Sequence, residues 1–370
     1  MIHNHYLMNK LFFLLFLIYF SCSENESHIS EPEPNPMYFP GIGSEQWDTS
    51  SAEELNWNSV AIEPLYDFLQ QNNTRAFIVL KDGKIVLENY WGTSIQNTTT
   101  FDKNSNWYWA SAGKTLTAVL VGIAQENNLL SIEDSSSTYL GNGWTSLDEN
   151  QERLIKIKHQ LTMTTGLNYL VDNLNCTEPN CLTFKNTPGT QWFYHNATYS
   201  LLRAVIENAS DTSYNLFTDE NVEMKIGMNG SWIQSGYSTI YWSTARDMAR
   251  FGLLILNEGV WNDEIIINDT TYFSDMINRS QDLNKSYGYL WWLNGQETLI
   301  PPGFTSVLES SLASNAPEDL IAGLGRNGQF VDVVPSQNLV VIRMGEAPED
   351  DLVPINFHND MWNYLNAVLF

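Results

Sequence analysis

Two residues three positions apart, Ser111 and Lys114, have the types and the spacing that covalent catalysis requires. Residues 111–124 are nearly all apolar or small and have helical length, which predicts a buried helix. A spacing of three places both side chains on one helical face. A serine hydroxyl becomes nucleophilic when a neighbour accepts its proton, and an amine does so once burial lowers its pKa from about 10.4. The alternative is a structural helix whose lysine reaches solvent.

Tyr194 and Asn196 form a second candidate group, because they follow a loop that contains Pro188 and Gly189. A tyrosinate held near a lysine ammonium acts as a general base, and an asparagine can orient the lysine and donate to a substrate carbonyl. The same Tyr-x-Asn pattern recurs at residues 364–366, where helix packing explains it. His195 could in principle serve as a base.

Alternating patterns and turn signals predict the elements that hold these residues. Strands at residues 76–80 and 84–90 flank an Asp-Gly turn and predict a hairpin. Helical pieces are predicted at residues 155–164, 198–209, 244–257 and 351–369, and further strands at residues 287–293, 329–334 and 339–344. This order predicts an α/β (α+β) fold: an antiparallel sheet that carries both chain ends, flanked by helices and interrupted by a helical insertion at about residues 115–235.

Several ordered motifs resemble those of the β-lactamase-related serine hydrolases, which include class C β-lactamases, D,D-peptidases, esterases and 6-aminohexanoate-dimer hydrolase. The motifs are Trp109-Ala110 before Ser111, residues 161–167, Pro188-Gly189-Thr190 before Tyr194, residues 243–252 and residues 287–292. The resemblance covers roughly residues 55–370. It implies Ser111 as the acylated nucleophile, Lys114 and Tyr194 as proton acceptors, and Asn196 as an orienting residue. It also implies that the reaction needs no metal or cofactor.

The third motif of that family, Lys-Thr-Gly or His-Thr-Gly on a strand beside the site, is absent from this sequence. Its expected place is residues 323–325, followed by Arg326. By this resemblance Gly325 and Arg326 contact substrate, and the Arg326 and Ser111 backbone N–H groups form an oxyanion hole. The alternative is that the glycines only form a turn. Because the usual cation is missing, strong β-lactamase activity is not expected.

The N-terminus predicts export. Residues 1–21 resemble a lipoprotein signal peptide, since Lys10 precedes a short apolar run that ends before Cys22. Cys22 is then the predicted lipidation site, with ordinary secretion as the alternative. Residues 22–50 are rich in Ser, Glu, Pro and Asn and predict a tether, followed by one hydrolase domain at residues 51–370. We therefore expect a lipid-anchored protein at the cell envelope, either in the periplasm or on the outer surface.

Composition excludes some partners. The net charge of −25 offers no extended basic surface for nucleic acid. Cys176 and Cys181 flank a Pro-containing turn, and in an oxidising compartment they predict a local disulfide rather than a metal site. No Gly-x-Ser-x-Gly elbow is present to anchor an α/β-hydrolase triad.

The sequence therefore predicts a serine hydrolase that cleaves an ester or amide bond in a small molecule or short peptide. Two alternatives stay open at this point. One is a D,D-peptidase or β-lactamase that acts on cell-wall peptides or β-lactams. The other is a non-catalytic envelope lipoprotein that uses the same cleft for binding. The sequence does not predict an oligomeric state.

Overall fold

The computed structural model describes residues 37–348 and 353–370. The predicted signal peptide, Cys22 and the first part of the predicted tether lie outside the described residues. In the described part of the chain, no helix has the length and apolar character needed to cross a membrane.

Eleven strands are described: β1 Thr74–Lys81, β2 Lys84–Tyr90, β3 Trp107–Tyr108, β4 Ser231–Ser235, β5 Ser238–Ser243, β6 Val260–Trp261, β7 Glu264–Ile265, β8 Trp292–Leu293, β9 Ile321–Gly325, β10 Gln329–Val334 and β11 Leu339–Gly345. Six of them form the main sheet in the order β2-β1-β11-β10-β9-β8, antiparallel throughout. At its centre Ile342 of β11 pairs with Ile78 of β1 on one side and with Val331 of β10 on the other. The predicted hairpin is β1–β2, and the sheet carries both ends of the domain.

Helices cover both faces of the main sheet and fill the long connection between its strands. Short 3-10 turns occur at Ser59–Ala61, Ala110–Ala112, Pro179–Cys181, Arg326–Gly328 and Pro335–Gln337, and a π-helix at Asp219–Glu223. The α-helices are α1 Ile62–Gln71, α2 Gly113–Glu126, α3 Ser137–Leu140, α4 Glu149–Glu152, α5 Ile157–Leu161, α6 Asn196–Ser200, α7 Leu202–Ser210, α8 Tyr214–Thr218, α9 Met224–Ile226, α10 Ala245–Leu256, α11 Thr270–Met276 and α12 Ile355–Leu369.

Strand β10 shows how the sheet separates two helical layers. Successive side chains of a strand point to opposite faces. Phe330 and Asp332 contact His358 of α12, with ring centres 4.7 Å apart for Phe330 and a 2.7 Å contact from Asp332 Oδ2 to His358 Nε2. Val331 faces α10, where a Cβ on Gly252 would lie 3.3 Å from its Cγ2. The predicted fold class is therefore confirmed.

The predicted strand at residues 287–293 is largely wrong. Only Trp292–Leu293 is strand, and Tyr287 bridges back to Trp292 across a tight turn. Leu290 adopts a left-handed conformation with φ 63°, and its backbone N–H donates to the Leu161 carbonyl, 3.1 Å away. The alternating aromatic residues thus serve core packing rather than a regular ladder.

The other helical predictions are right in kind and wrong in extent. The predicted helix at residues 155–164 is the shorter α5, and the one at residues 198–209 is divided into α6 and α7. The sequence predicts the last helix from residue 351, yet α12 begins at Ile355, since Pro354 at its N-cap is not helical. α10 matches its prediction closely because Thr244 and Asp247 form a capping box.

The last part of the predicted tether, residues 37–50, is folded. Trp47 is buried, and its indole N–H donates to the Gly83 carbonyl over 2.8 Å. The Tyr38 backbone N–H donates to the Asp82 carbonyl over 3.0 Å, so this segment covers the β1–β2 turn. Residues 37–50 belong to the folded domain because their aromatic side chains give them apolar surface to bury.

Candidate active site

Ser111 lies at the start of α2, in the 3-10 turn Ala110–Ala112 that follows β3. Ala110 adopts a left-handed conformation with φ 48°, which costs an alanine roughly 1–2 kcal/mol. This turn redirects the chain from β3 into α2, and Ser111 stays partly exposed while the residues that follow it, from Ala112 on, are buried. Ser111, the candidate nucleophile, thus lies at the N-terminus of α2, which is the positive end of the helix dipole.

Lys114 is one turn further along, as predicted, and its Nζ donates to Ser111 Oγ over 2.9 Å. The side chain is only 4% exposed. Burial lowers the pKa of Lys114 to about 7, because the charged amine loses its hydration. No carboxylate pairs with this amine among the described residues. A substantial fraction of Lys114 is therefore neutral near pH 7 and able to accept a proton.

Tyr194 also lies beside Lys114. Its ring centre lies 5.0 Å from Lys114 Nζ. Desolvation raises the pKa of Tyr194 well above its usual range, and a hydrogen bond with Ser111 lowers it by a smaller amount. The phenol is therefore protonated at neutral pH. Of the two predicted proton acceptors, Lys114 has the pKa that suits the role, and Tyr194 is placed to donate.

Sequence reasoning missed Tyr199. Its ring centre is 4.3 Å from Lys114 Nζ, nearer than the ring of Tyr194. The Tyr199 hydroxyl lies 3.2 Å from Thr117 Oγ1, which ties it to α2. Helical spacing from Asn196 was the available signal, since residues three apart in α6 share a face.

Asn196 is the first residue of α6 and is partly exposed. Its Oδ1 is buried and has no hydrogen-bond partner in the described residues. It makes no hydrogen bond to Lys114 there, so the predicted orienting contact is not present. A buried acceptor without a partner costs about 1–3 kcal/mol, and a bound group that donates to it would remove that cost.

The expected third-motif residues lie against the nucleophile turn. A Cβ on Gly325 would come within 2.5 Å of the Trp109 carbonyl oxygen and 3.0 Å of the Ala112 nitrogen. Gly323 is similarly close to Thr115, at 2.9 Å from its Cγ2. Only glycine permits β9 to approach α2 this closely. Arg326 is the exposed first residue of the following 3-10 turn, and its side chain makes no hydrogen bond or ion pair with the described residues.

An aromatic cluster lies behind Tyr194. Trp292 stacks on Tyr194 at 5.9 Å between ring centres, and Tyr287 contacts Trp292 at 4.9 Å. Trp192 contacts Tyr287 at 5.4 Å. The Trp192 indole N–H and the Tyr287 hydroxyl are buried without a partner in the described residues. The irregular 287–292 segment thus contributes the apolar surroundings that keep the site poorly hydrated.

His195 and the cysteines lie at the edge of this arrangement. Burial lowers the pKa of His195 to about 4, and its Nδ1 has no partner in the described residues. Its side chain has no hydrogen bond to Ser111 there.

Cys176 and Cys181 form a disulfide whose Cα atoms are 5.9 Å apart. Their loop is joined to α6 by the Ala197 N–H, which donates to the Leu174 carbonyl over 2.9 Å. The described residues contain no cluster of His, Cys, Asp and Glu suited to a metal ion.

Comparisons with known proteins identify the family and the fold of the chain. The family model described as Beta-lactamase matches residues 69–352, and the chain belongs to that family. No curated protein sequence matches the chain.

Solved structures share its fold at low sequence identity. A Bacillus anthracis protein assigned as a 6-aminohexanoate-dimer hydrolase is 19% identical, with a TM-score of 0.62 over 81% of each chain. A Bacteroides dorei protein assigned as a beta-lactamase is 16% identical, with a TM-score of 0.65 over 85% of this chain and 99% of that one. A Bacillus halodurans penicillin-binding protein is 16% identical, with a TM-score of 0.59 over 83% of this chain and all of that one, 100%. The chain therefore has the serine-hydrolase fold of the β-lactamase family.

Proposed function

We propose that this protein is a serine hydrolase that forms an acyl-enzyme on Ser111. The observation that carries the proposal is the 2.9 Å contact between Lys114 Nζ and Ser111 Oγ inside a poorly hydrated site. In the first step the Ser111 oxygen attacks the substrate carbonyl carbon while its proton passes to neutral Lys114. The tetrahedral intermediate collapses, the C–O or C–N bond breaks, and the leaving group takes a proton relayed by Tyr194. Water then attacks the ester carbonyl, with Lys114 accepting its proton, and releases the acid.

The oxyanion would be held by the backbone N–H groups of Ser111 and Arg326. The close approach of Gly325 to residues 109–112 supports this arrangement, because it brings the start of the Arg326 turn beside the nucleophile. Donors that are fixed before the reaction stabilise the developing charge without reorganisation. Asn196, through its amide, would contact the substrate next to the scissile bond.

The substrate we propose is an ester or amide of a small molecule or short peptide. A carboxylate-bearing substrate needs a cation at the strand beside the site, and β9 carries glycine and apolar residues where the usual motif has lysine or histidine. The second candidate is a D,D-peptidase or β-lactamase, and the exposed side chain of Arg326, which has no partner in the described part of the chain, favours it. A non-catalytic binding lipoprotein is the third, and the buried lysine amine argues against it, because binding alone does not require that costly group.

Turnover measurements test these assignments. Full-length protein in detergent is assayed with p-nitrophenyl butyrate, an alanine p-nitroanilide, a D-alanyl-D-alanine peptide and benzylpenicillin. We expect ester turnover that Ser111→Ala abolishes and that Ser235→Ala, on the exposed end of β4, leaves unchanged. Preferential turnover of the D-alanyl peptide or penicillin would favour the second candidate, and no turnover of any substrate would favour the third.

We also propose that the protein is exported and lipid-anchored through Cys22 at the cell envelope. The support is the sequence pattern of residues 1–22, which lie outside the described residues. Expression in bacteria with an alkyne-labelled fatty acid tests it. Label on the wild type and on Cys181→Ala, but not on Cys22→Ala, is expected. Label on none of the three would contradict it.

A further inference from the structure

A cavity of about 590 Å³ lies outside the residues assigned to catalysis. Its walls are the β4–β5 hairpin, the start of α10, and two segments that precede it in the chain, residues 43–47 and 103–106. This volume falls in the range of pockets that bind small molecules. None of its lining residues takes part in the proposed reaction.

The charged side chains on the outer wall of this cavity are already paired. Lys103 Nζ lies 3.1 Å from a Glu45 oxygen. Arg246 makes a bidentate contact with Glu88, with both N–O distances 2.7 Å. The cations and anions that the described residues place on this wall are therefore equal in number and lie in pairs.

The inner wall carries one cation, Arg250, and one anion, Asp247, which interact electrostatically. Arg250 donates to the carbonyl oxygens of Ile226 and Pro40 over 2.8 and 3.2 Å. Asp247 accepts from the Thr244 hydroxyl over 2.7 Å and from the Asn229 backbone N–H over 3.1 Å. With Glu88 included, the described residues around the cavity carry three cations and three anions, so the cavity is polar with balanced charge, which suits a neutral molecule.

Three amide side chains supply the free hydrogen-bonding capacity. Asn104, Asn106 and Asn229 line the cavity, are exposed, and make no side-chain hydrogen bond with the described residues. Each amide offers two donor hydrogens and an acceptor oxygen. Such a set matches a ligand that carries several hydroxyl groups, since each hydroxyl both donates and accepts.

Trp242 provides the apolar surface. It lines the cavity from β5 and is half-buried, with Tyr108 packed against it at 5.5 Å between ring centres and 60° between planes. This packing fixes the indole plane. A fixed aromatic face beside free amides is the combination that binds a pyranose ring, whose C–H face packs on the indole while its hydroxyls meet the amides.

We propose that this cavity is a binding site for a neutral saccharide. Asn106 is five residues before Ser111, and a chain of that length spans at most about 18 Å. A short oligosaccharide bound here would therefore lie near the catalytic serine. Binding itself does not rest on the hydrolase reaction, and Ser111→Ala should bind the saccharide as the wild type does.

Calorimetry and saturation-transfer NMR on full-length protein in detergent test the site. The probes are cellotetraose, maltotetraose and N-acetylated chitotetraose. At least one should bind in the millimolar range, and Trp242→Ala should weaken that binding at least tenfold. The Asn104→Ala/Asn106→Ala double variant should weaken it similarly. Tyr237→Ala, at the tip of the same hairpin and outside the cavity lining, is the matched control and should bind like the wild type.

Two results would overturn the proposal. In the first, none of the three probes binds. In the second, a probe binds and neither Trp242→Ala nor the double variant changes its affinity, so that it occupies another place. Thermal melts identify a variant that fails to fold. If Trp242→Ala fails to fold, the double variant still decides the question, because it changes exposed side chains only.

Discussion

Lys114 Nζ lies 4.3 Å from the centre of the Tyr199 ring, so the amine that contacts the serine hydroxyl also rests on an aromatic face. The face of an aromatic ring attracts an ammonium more than a neutral amine, by about 0.5–2 kcal/mol. Burial and the ring thus act in opposite directions on the same group. Desolvation makes Lys114 a proton acceptor near pH 7, and the ring stabilises the ammonium that forms when the proton arrives.

Tyr199→Leu should shift the acid limb of the pH–rate profile to lower pH. Loss of the ring destabilises the ammonium, so the pKa of Lys114 falls. Because neutral Lys114 is the active form, the limb moves to lower pH, by about 0.4–1.5 units for the energy range of a cation–π contact. The measurement is kcat/KM for ester hydrolysis from pH 5 to 9. Tyr199→Phe keeps the ring and should leave the limb in place. An equal shift in both variants would show that the ring has no such role.

Lys114→Met should change how stability depends on pH. The unfolded lysine titrates near 10.4 and the folded one near 7, so between these values the unfolded state binds more protons. Wild-type stability should therefore rise with pH relative to Lys114→Met, by roughly 4 kcal/mol at most between pH 7 and 10. Urea unfolding at several pH values measures this difference. Lys225→Met, on partly exposed α9, is the control and should show no such trend. A constant difference would mean that Lys114 is not desolvated.

Gly325→Ala should impair catalysis more than stability. The added methyl group would meet the Trp109 carbonyl at 2.5 Å and push the nucleophile turn away from β9. A displacement of about 1 Å at a reacting group can cost about 100-fold in rate, and we expect a fall in kcat/KM of that order. Gly41→Ala is the matched control, because the nearest atom to its Cβ would be Ser44 Cβ at 3.5 Å. Activity within threefold of the wild type in both variants would contradict the close approach.

Asp332→Ala should destabilise the domain without affecting the chemistry. Asp332 is fully buried, and its Oδ2 contacts His358 Nε2 at 2.7 Å and the Trp362 indole N–H at 2.8 Å. Removing one partner of a buried polar group of this kind costs about 3–5 kcal/mol. Chemical denaturation measures the loss, and the acylation rate of the remaining folded protein should be unchanged. Asp263→Ala, at an exposed turn, is the control. A loss below about 1 kcal/mol would be inconsistent with this network.

The site was predictable where it depends on local spacing. Ser111 and Lys114 are one helical turn apart, so any helix through them brings them together. The hairpin β1–β2 was likewise set by its Asp-Gly turn and alternating strands. Tyr194 was a candidate from its own local pattern, but its place beside Ser111 required the resemblance, because that distance depends on long-range packing that no local pattern encodes.

Three features escaped prediction for physical reasons. Residues 287–293 alternate like a strand, yet they bury their aromatic rings around Tyr194 in an irregular turn stabilised by tertiary contacts. Residues 37–50 are polar on average, and their place in the fold depends on single anchors such as Trp47. The contact of Tyr199 with Lys114 arises from the orientation of α6 against α2, which the sequence does not specify locally.

The most direct test of the central claim is the intact mass of the full-length protein after reaction with a fluorophosphonate and with p-nitrophenyl butyrate. The wild type should gain the mass of one phosphonyl group, and at short times of one acyl group, with peptide mapping to Ser111. Ser111→Ala should gain neither, and Ser235→Ala should behave like the wild type. An adduct that persists in Ser111→Ala, or maps to another residue, would contradict the assignment of Ser111 as the nucleophile.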